Sequence, residues 1–204
     1  MKIKEPILND NLIKKSSLED DCIENILLNN INLKEYYNYT EIINSKIQNC
    51  NLEKTIFQGL DLTNCIIELS NLANQQLINH SYQQVIFNNC NLIGINFTDS
   101  YLENIIFKNC NLTYSNFSNT NMKNVLFENC NLKSSSFNSI KWKELSFDNC
   151  DISETEFHKT SLKNLDISTC IINNINIDIT KLQGLTVSYD QALSISLLLG
   201  IKIK

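Results

Sequence analysis

An apolar residue stands at every fifth position through most of this chain. Stepping by five from Ile42 to Leu182 gives 29 positions, running through Ile47, Leu52, Phe57 and Leu62 to Phe157, Leu162 and Ile167, and all are apolar or aromatic. The hydrophobic content is 43%, so independent draws would produce such a run with a probability of roughly 10⁻¹¹. A helix repeats at 3.6 residues and a strand at 2, and neither period accounts for it. A backbone that turns a corner every five residues, pointing each central residue inward, does. A second inward phase lies two residues earlier, at positions such as Cys50, Cys65, Val85, Cys90, Ile95, Ile105 and Cys110. Between residues 41 and 180 all fourteen Asp and Glu and all nine Lys avoid both phases. Cys recurs at 90, 110, 130, 150 and 170, and Phe at 87, 107, 127 and 147 and again at 97, 117, 137 and 157. Twenty residues are four steps, so these sets stack as ladders on a square coil.

The blocks Cys90-Asn91-Leu92-Ile93-Gly94, Cys110-Asn111-Leu112, Cys130-Asn131-Leu132 and Cys150-Asp151-Ile152 resemble the pentapeptide-repeat family, with Cys where its consensus A(D/N)LXX has Ala. The resemblance covers about 140 residues. It implies an all-β fold, a right-handed quadrilateral β-helix, whose seven or so coils would make a rod of roughly 35 Å at ~4.8 Å per coil.

Three segments are expected: an N-terminal cap with the first coils over 1–41, the repeat solenoid over 42–184, and an end cap over 185–204. Upstream of Ile42 the apolar residues fall in another phase, at Leu8, Ile13, Leu18, Ile23, Leu28 and Leu33. The phase therefore slips near 34–39, and a bulge or short surface loop is expected at Lys34–Tyr39. At Asn71–Gln84 the inward pair positions become Gln75 and His80, which reads either as a loop or as a hydrogen-bonded polar pair inside the rod. After Gly184, Ser188-Tyr189-Asp190-Gln191 has the form of a capping box. A helix is expected from about Tyr189 to Leu199, stopped by Gly200, with Ile201 and Ile203 extended beyond it. Its apolar residues cover more than one face. One face closes the solenoid, and the surplus, Leu193, Leu197, Leu198 and Ile201, is expected to join a second copy as a homodimer.

The chemistry expected of this sequence is binding. No Gly-rich phosphate loop appears among four Gly, and the eight Cys follow the core period instead of a CxxC pattern. We therefore expect reduced structural thiols, no metal, no cofactor and no enzymatic activity. Apolar runs fall short of the roughly 20 residues that span a bilayer and the N-terminus lacks a secretory pattern, so a cytoplasmic protein without membrane contact is expected. The formal charge is −5 and every basic residue but the two His is Lys. Without Arg, direct nucleic-acid reading is disfavoured. A rigid acidic rod is instead suited to presenting carboxylates to a basic groove built for DNA. The coils and the ending Leu185–Leu193 followed by Leu199–Lys204 look like those of the Gram-positive Qnr proteins. That resemblance implies a dimeric rod that binds type II topoisomerases, DNA gyrase among them, and protects them from fluoroquinolones. The residues expected at a partner surface are Tyr36, Tyr37, Tyr39, Asp99, Glu103, Glu128 and Asp148. The alternative is a scaffold rod with another protein partner.

Overall fold

The computed structural model describes residues 1–18 and 21–202, and within them the chain winds as a parallel β-solenoid of about 8 turns with one C-terminal helix. Strands β1 (Ile13–Lys15), β2 (Cys22–Glu24), β3 (Ile26–Asn29), β4 (Tyr36–Ile43) and β5 (Lys46–Gln48) form the first coils. β6 (Ile56–Glu68), β7 (Ser81–Asn88), β8 (Tyr101–Lys108), β9 (Asn121–Glu128) and β10 (Lys141–Asp148) then stack one coil above the next. Each is opposite the residue one coil away: Phe87 faces Phe107, Phe107 faces Phe127, and Phe127 faces Phe147. The other two walls are held by isolated parallel bridges such as Asn91 to Asn111 and Asn96 to Asn116. A two-stranded sheet of β11 (Glu156–Phe157) and β12 (Asn176–Ile177) follows before the helix.

The five-residue step has a backbone cause. Two residues after most central positions the chain enters the left-handed region, where φ lies between 50° and 67° at 25 non-glycine residues, 16 of them Asn. Asn tolerates that conformation better than other residues with a side chain, so each Asn marks a corner. Gly94 fills the same place at φ 66°. Between corners the central side chains fill the bore. Phe87, Phe97, Phe107, Phe117, Phe127 and Phe137 are all 0–1% exposed. Each stacks on the ring one coil away, as Phe107 does on Phe127 with centroids 4.8 Å apart and planes 5° apart, and each meets the other Phe column edge-on. The small inward positions close hydrogen bonds across the coils. The Cys110 thiol donates to the Phe87 carbonyl at 3.3 Å, the Thr160 hydroxyl to Phe137 O at 2.6 Å and the Ser100 hydroxyl to Leu77 O at 3.0 Å.

The structure corrects the loop expected at Lys34–Tyr39. β4 begins at Tyr36 and pairs with β6 throughout, Tyr37 opposite Phe57 and Tyr39 opposite Gly59. Before it, Leu28 is opposite Ile47, one residue short of a full coil. The slip is thus a deletion of one residue between Leu33 and Tyr37, absorbed without leaving the wall. At Asn71–Gln84 no loop leaves the rod, and of the two polar residues only Gln75 lies inside it, the half-buried His80 turning to Asp61. The buried Gln75 amide donates to Leu52 O at 2.8 Å and Thr55 O at 2.9 Å, and β7 follows in register. Further upstream, Leu18, Ile23, Leu28 and Leu33 are buried, but Ile13 is 61% exposed because no coil covers the end of the rod there.

Candidate interaction surface

The bore is filled, so the outer wall and the two ends are where this chain can meet another molecule. The three tyrosines do not act alike. Tyr37 points inward, 9% exposed, with its ring stacked 5.5 Å from Phe57 and its hydroxyl donating to Glu35 at 2.9 Å. Tyr36 and Tyr39 stand out from the wall at 53% and 46% exposure. Tyr39 donates its hydroxyl to Asp61 Oδ2 at 2.5 Å, and Asp61 Oδ1 accepts from the Ser81 amide at 2.9 Å and lies 3.2 Å from His80 Nδ1. Gly59 makes room for this group, since a Cβ there would lie 2.7 Å from the His80 ring and 2.8 Å from the Tyr39 ring. The bond to Asp61 pushes the Tyr39 phenol up to about 12, burial and the charge of Asp61 adding to it.

The four acidic residues occupy three separate columns. Glu128 and Asp148 are neighbouring rungs of one column, Glu103 belongs to another wall, and Asp99 sits exposed at a corner with φ 60°. Two of the four are neutralised along the rod axis: Lys108 Nζ reaches Glu128 at 2.8 Å and Lys123 Nζ reaches Glu103 at 2.5 Å. Lys123, with Tyr101, holds the Glu103 carboxyl below the usual range. A feature that sequence reading missed lies nearby. Lys141, Lys143, Lys159, Lys163 and Lys181 surround Trp142 in a groove of about 610 Å³ whose one carboxylate is Glu144. Among the described residues none of the five forms an ion pair. The signal was present in the spacing of Lys123, Lys143 and Lys163 by whole coils. These five lysines are a local positive cluster on an otherwise acidic chain.

Helix α1 (Tyr189–Leu198) closes the rod. Ser188 accepts from the Gln191 amide at 3.3 Å while Gln191 Oε1 accepts from the Ser188 amide at 2.8 Å, the two halves of the capping box. Gln191 then turns its amide nitrogen down onto Ile167 O and Cys170 O at 2.8 and 2.6 Å. This satisfies carbonyls that no further coil would meet. Ile195 packs beneath. Leu193, Leu197, Leu198, Leu199 and Ile201 remain 39–63% exposed on one end of the molecule. The expectation placed on Ile203 lies outside the described residues.

The thiols are part of the core. Cys50, Cys65, Cys90, Cys110, Cys130, Cys150 and Cys170 are buried, while Cys22 is exposed. Burial pushes the Cys65 thiol up to about 12 and raises Cys50 and Cys170. Contact with the Cys130 thiol raises Cys110, with Cys90 and then burial adding to it, and the same Cys130 contact followed by burial raises Cys150. Among the described residues no group of three or more His, Cys, Asp and Glu is arranged to hold a metal, and no helix is long and apolar enough to cross a membrane.

Residues 80–157 match the family model described as "Pentapeptide repeat region". This chain carries a pentapeptide-repeat region. Solved structures to which the chain is similar include a trypsin-treated form of QnrB1, a plasmid-mediated fluoroquinolone resistance protein, at 18% identity over 90% of this chain and 100% of that one, with a TM-score of 0.44. Another QnrB1 form matches at 19% identity over 89% and 99% with a TM-score of 0.40. HetL, a pentapeptide-repeat protein involved in heterocyst differentiation regulation from the cyanobacterium Nostoc sp. strain PCC 7120, matches at 17% over 81% and 84% with a TM-score of 0.26. At such values the likeness adds nothing to what the strand pairing already establishes. No curated protein sequence matches the chain.

Proposed function

We propose that this pentapeptide-repeat chain is a non-enzymatic binding rod that works as a homodimer, takes the place of DNA on DNA gyrase or topoisomerase IV, and protects the enzyme from fluoroquinolones. The observation that carries the reading is the exposed apolar end at Leu193, Leu197, Leu198 and Ile201, set on a closed rod of net charge −5. Four exposed large apolar side chains at one end form a self-complementary patch for a two-fold partner, and joining two rods there doubles the length of acidic wall. Tyr36 and Tyr39, with Asp99 and Asp148, are the contact residues on this reading. Tyr37 is left out because its ring belongs to the core. Sedimentation velocity tests the assembly: wild type should run as a dimer and Leu197→Glu/Leu198→Glu as a monomer. A gyrase supercoiling assay with ciprofloxacin, titrated with purified protein, tests the partner; no protection over a wide concentration range removes it.

A second reading, a scaffold rod for a different protein, is favoured by the ion pairs Lys108–Glu128 and Lys123–Glu103 and by the lysine groove around Trp142. These break the negative wall that a DNA substitute needs. Tyr36→Ala/Tyr39→Ala separates surface contact from packing: protection should fall while the melting temperature drops only by the loss of the Tyr39–Asp61 hydrogen bond.

A further inference from the structure

The first eight residues do not wind with the rest. They run along one corner of the rod, parallel to its axis, and touch it with a period of three. The amino group of Met1 is 3.9 Å from Glu144 Oε2, the Lys4 amide donates to Asn104 Oδ1 at 3.2 Å, and the Ile7 amide donates to Asn64 Oδ1 at 2.8 Å. Asn64 returns its own amide to the Ile7 carbonyl at 2.8 Å. Asn64, Asn104 and Glu144 are corner residues of a single column, at φ 53°, 56° and 61°, and each is two coils from the next. Three residues of the segment therefore span two coils.

The two lengths agree. Two coils measure about 9.6 Å at ~4.8 Å each, and three residues of polyproline II helix, one full turn, rise about 9.3 Å. Backbone groups at the same point of each turn meet every second rung without strain. Pro6, the chain's only proline, fixes φ near the polyproline II value, and its missing N–H is not among those that face the corner. Ile3 and Pro6, three residues apart, are both half-buried. Beside them an outward column that would ordinarily be polar is apolar: Ile66, Ile86, Ile106 and Leu126. Ile106 is 9% and Asn104 7% exposed, although both stand in outward phases. The segment's cationic residues face carboxylates, with Glu144 at Met1 and Glu103 within the field of Lys4.

We propose that this corner is a docking track for a cationic peptide segment in polyproline II conformation, occupied in cis by the chain's own N-terminus. The segment it fits has an apolar residue or proline at every third place and lysine between, as in Lys2-Ile3-Lys4-Glu5-Pro6. Recognition is through Asn side-chain amides on the peptide backbone, through the apolar column, and through the acidic rim. A tethered occupant competes at an effective concentration on the order of millimolar, so the strap sets the affinity a partner's segment must exceed.

The test keeps the full chain. Ile3→Asp/Pro6→Asp releases the strap while every coil residue stays in place, which an unchanged melting temperature checks. A synthetic peptide of residues 1–10, labelled at its C-terminus with fluorescein, is titrated and read by anisotropy. Saturable binding to the released chain, at least about tenfold tighter than to wild type, is expected. That binding should be lost when Asn64→Gly and Asn104→Gly are added, since glycine keeps the positive φ but removes the amide. No saturable binding to the released chain, or equal affinity for both chains, overturns the proposal. In the unaltered protein, hydrogen exchange at the Lys4 and Ile7 amides should be slowed relative to Ile3 and Glu5; unslowed exchange at both overturns it independently.

Discussion

Replacing Phe107 with Ala, and separately Phe157 with Ala, measures what a stacked column contributes beyond burial. Both rings are buried, at 0% and 1% exposure, so the transfer and cavity cost is common to them, about 3–5 kcal/mol for a core Phe→Ala change. Their ring neighbours differ. Phe107 stacks on Phe87 at 5.0 Å and on Phe127 at 4.8 Å and meets Phe97 and Phe117 edge-on at 6.2 and 5.9 Å. Phe157, at the last ring of its column, stacks only on Phe137 at 5.3 Å and meets Phe147 edge-on at 6.2 Å. Aromatic pairs add about 0.5–1.5 kcal/mol each beyond area, so with two more ring pairs Phe107→Ala should be the more destabilising by about 1–3 kcal/mol, at about 5 kcal/mol itself. For a chain of this length about 2–4 °C is lost per kcal/mol, which puts Phe107→Ala about 10–20 °C below wild type. Urea unfolding followed by far-UV circular dichroism and by the fluorescence of the sole tryptophan, Trp142, gives the free energies. Coincident curves establish that the coils unfold together, which a rod of nearest-neighbour contacts does not guarantee. A Phe157→Ala chain as destabilised as Phe107→Ala, or more so, would refute the additive stack.

Corner geometry predicts that Asn129→Gly leaves stability within about 0.5 kcal/mol, while Asn129→Val, forced to φ 52°, loses at least about 1–2 kcal/mol; thermal denaturation distinguishes them. In a native thiol titration with a chromogenic disulfide only Cys22 should react without unfolding. It should do so slowly near neutral pH, because burial and the Glu41 carboxylate raise its pKa, and the seven core thiols should follow only on unfolding. The Tyr39 phenol is raised to about 12 from an ordinary 10. Its stabilising contribution is therefore complete below pH 10 and lost as pH climbs from 10 toward 12. Absorbance at the phenolate band should lose one of its late-titrating tyrosines in Tyr39→Phe, the buried Tyr82 and the Glu103-bonded Tyr101 being raised as well.

The period of five was legible because a filled bore admits no exception. Ile42 through Ile177 take their places as the sequence orders them except Trp142, which is half-buried in an outer groove, and the Ser188–Gln191 capping box is where its residues put it. The one-residue slip was legible as a shift but not as a form. Leu33 and Tyr37 are four apart, which on paper is equally an insertion of four or a deletion of one, and only the strand above, Phe57 opposite Tyr37, decides. Stepping back five from Ile42 lands on Tyr37, which places it in the bore and not at the partner surface where it was expected. Corner asparagines went unread because their constraint is on φ, not on hydrophobicity. The strap was hidden for a different reason. Leu8 and Ile13 continue the five-residue spacing past the point where any coil covers them, so pattern alone cannot tell the last rung of the rod from the segment lying on it.

Charge on such a rod is organised by column, and this bears directly on which partner it suits. Lys46 pairs with Glu68, Lys108 with Glu128 and Lys123 with Glu103, all between adjacent coils. Exposed pairs of this kind contribute about 0–1 kcal/mol each to stability, but each removes two charges from the field that a distant partner feels. Among the described residues Asp148, Asp151 and Asp166 have no lysine partner, and the unpaired lysines around Trp142 stand on the same third of the rod. The long-range field is thus weak and mixed, and beyond about 8 Å at physiological salt it is screened. A rod standing in for DNA by its field alone should lose binding steeply between 50 and 200 mM salt. One that binds by local contacts, through Tyr36 and Tyr39 or through the corner track, should lose little. The paired columns favour the second behaviour, and a salt titration of partner binding that instead fell steeply would return the acidic wall to the centre of the mechanism.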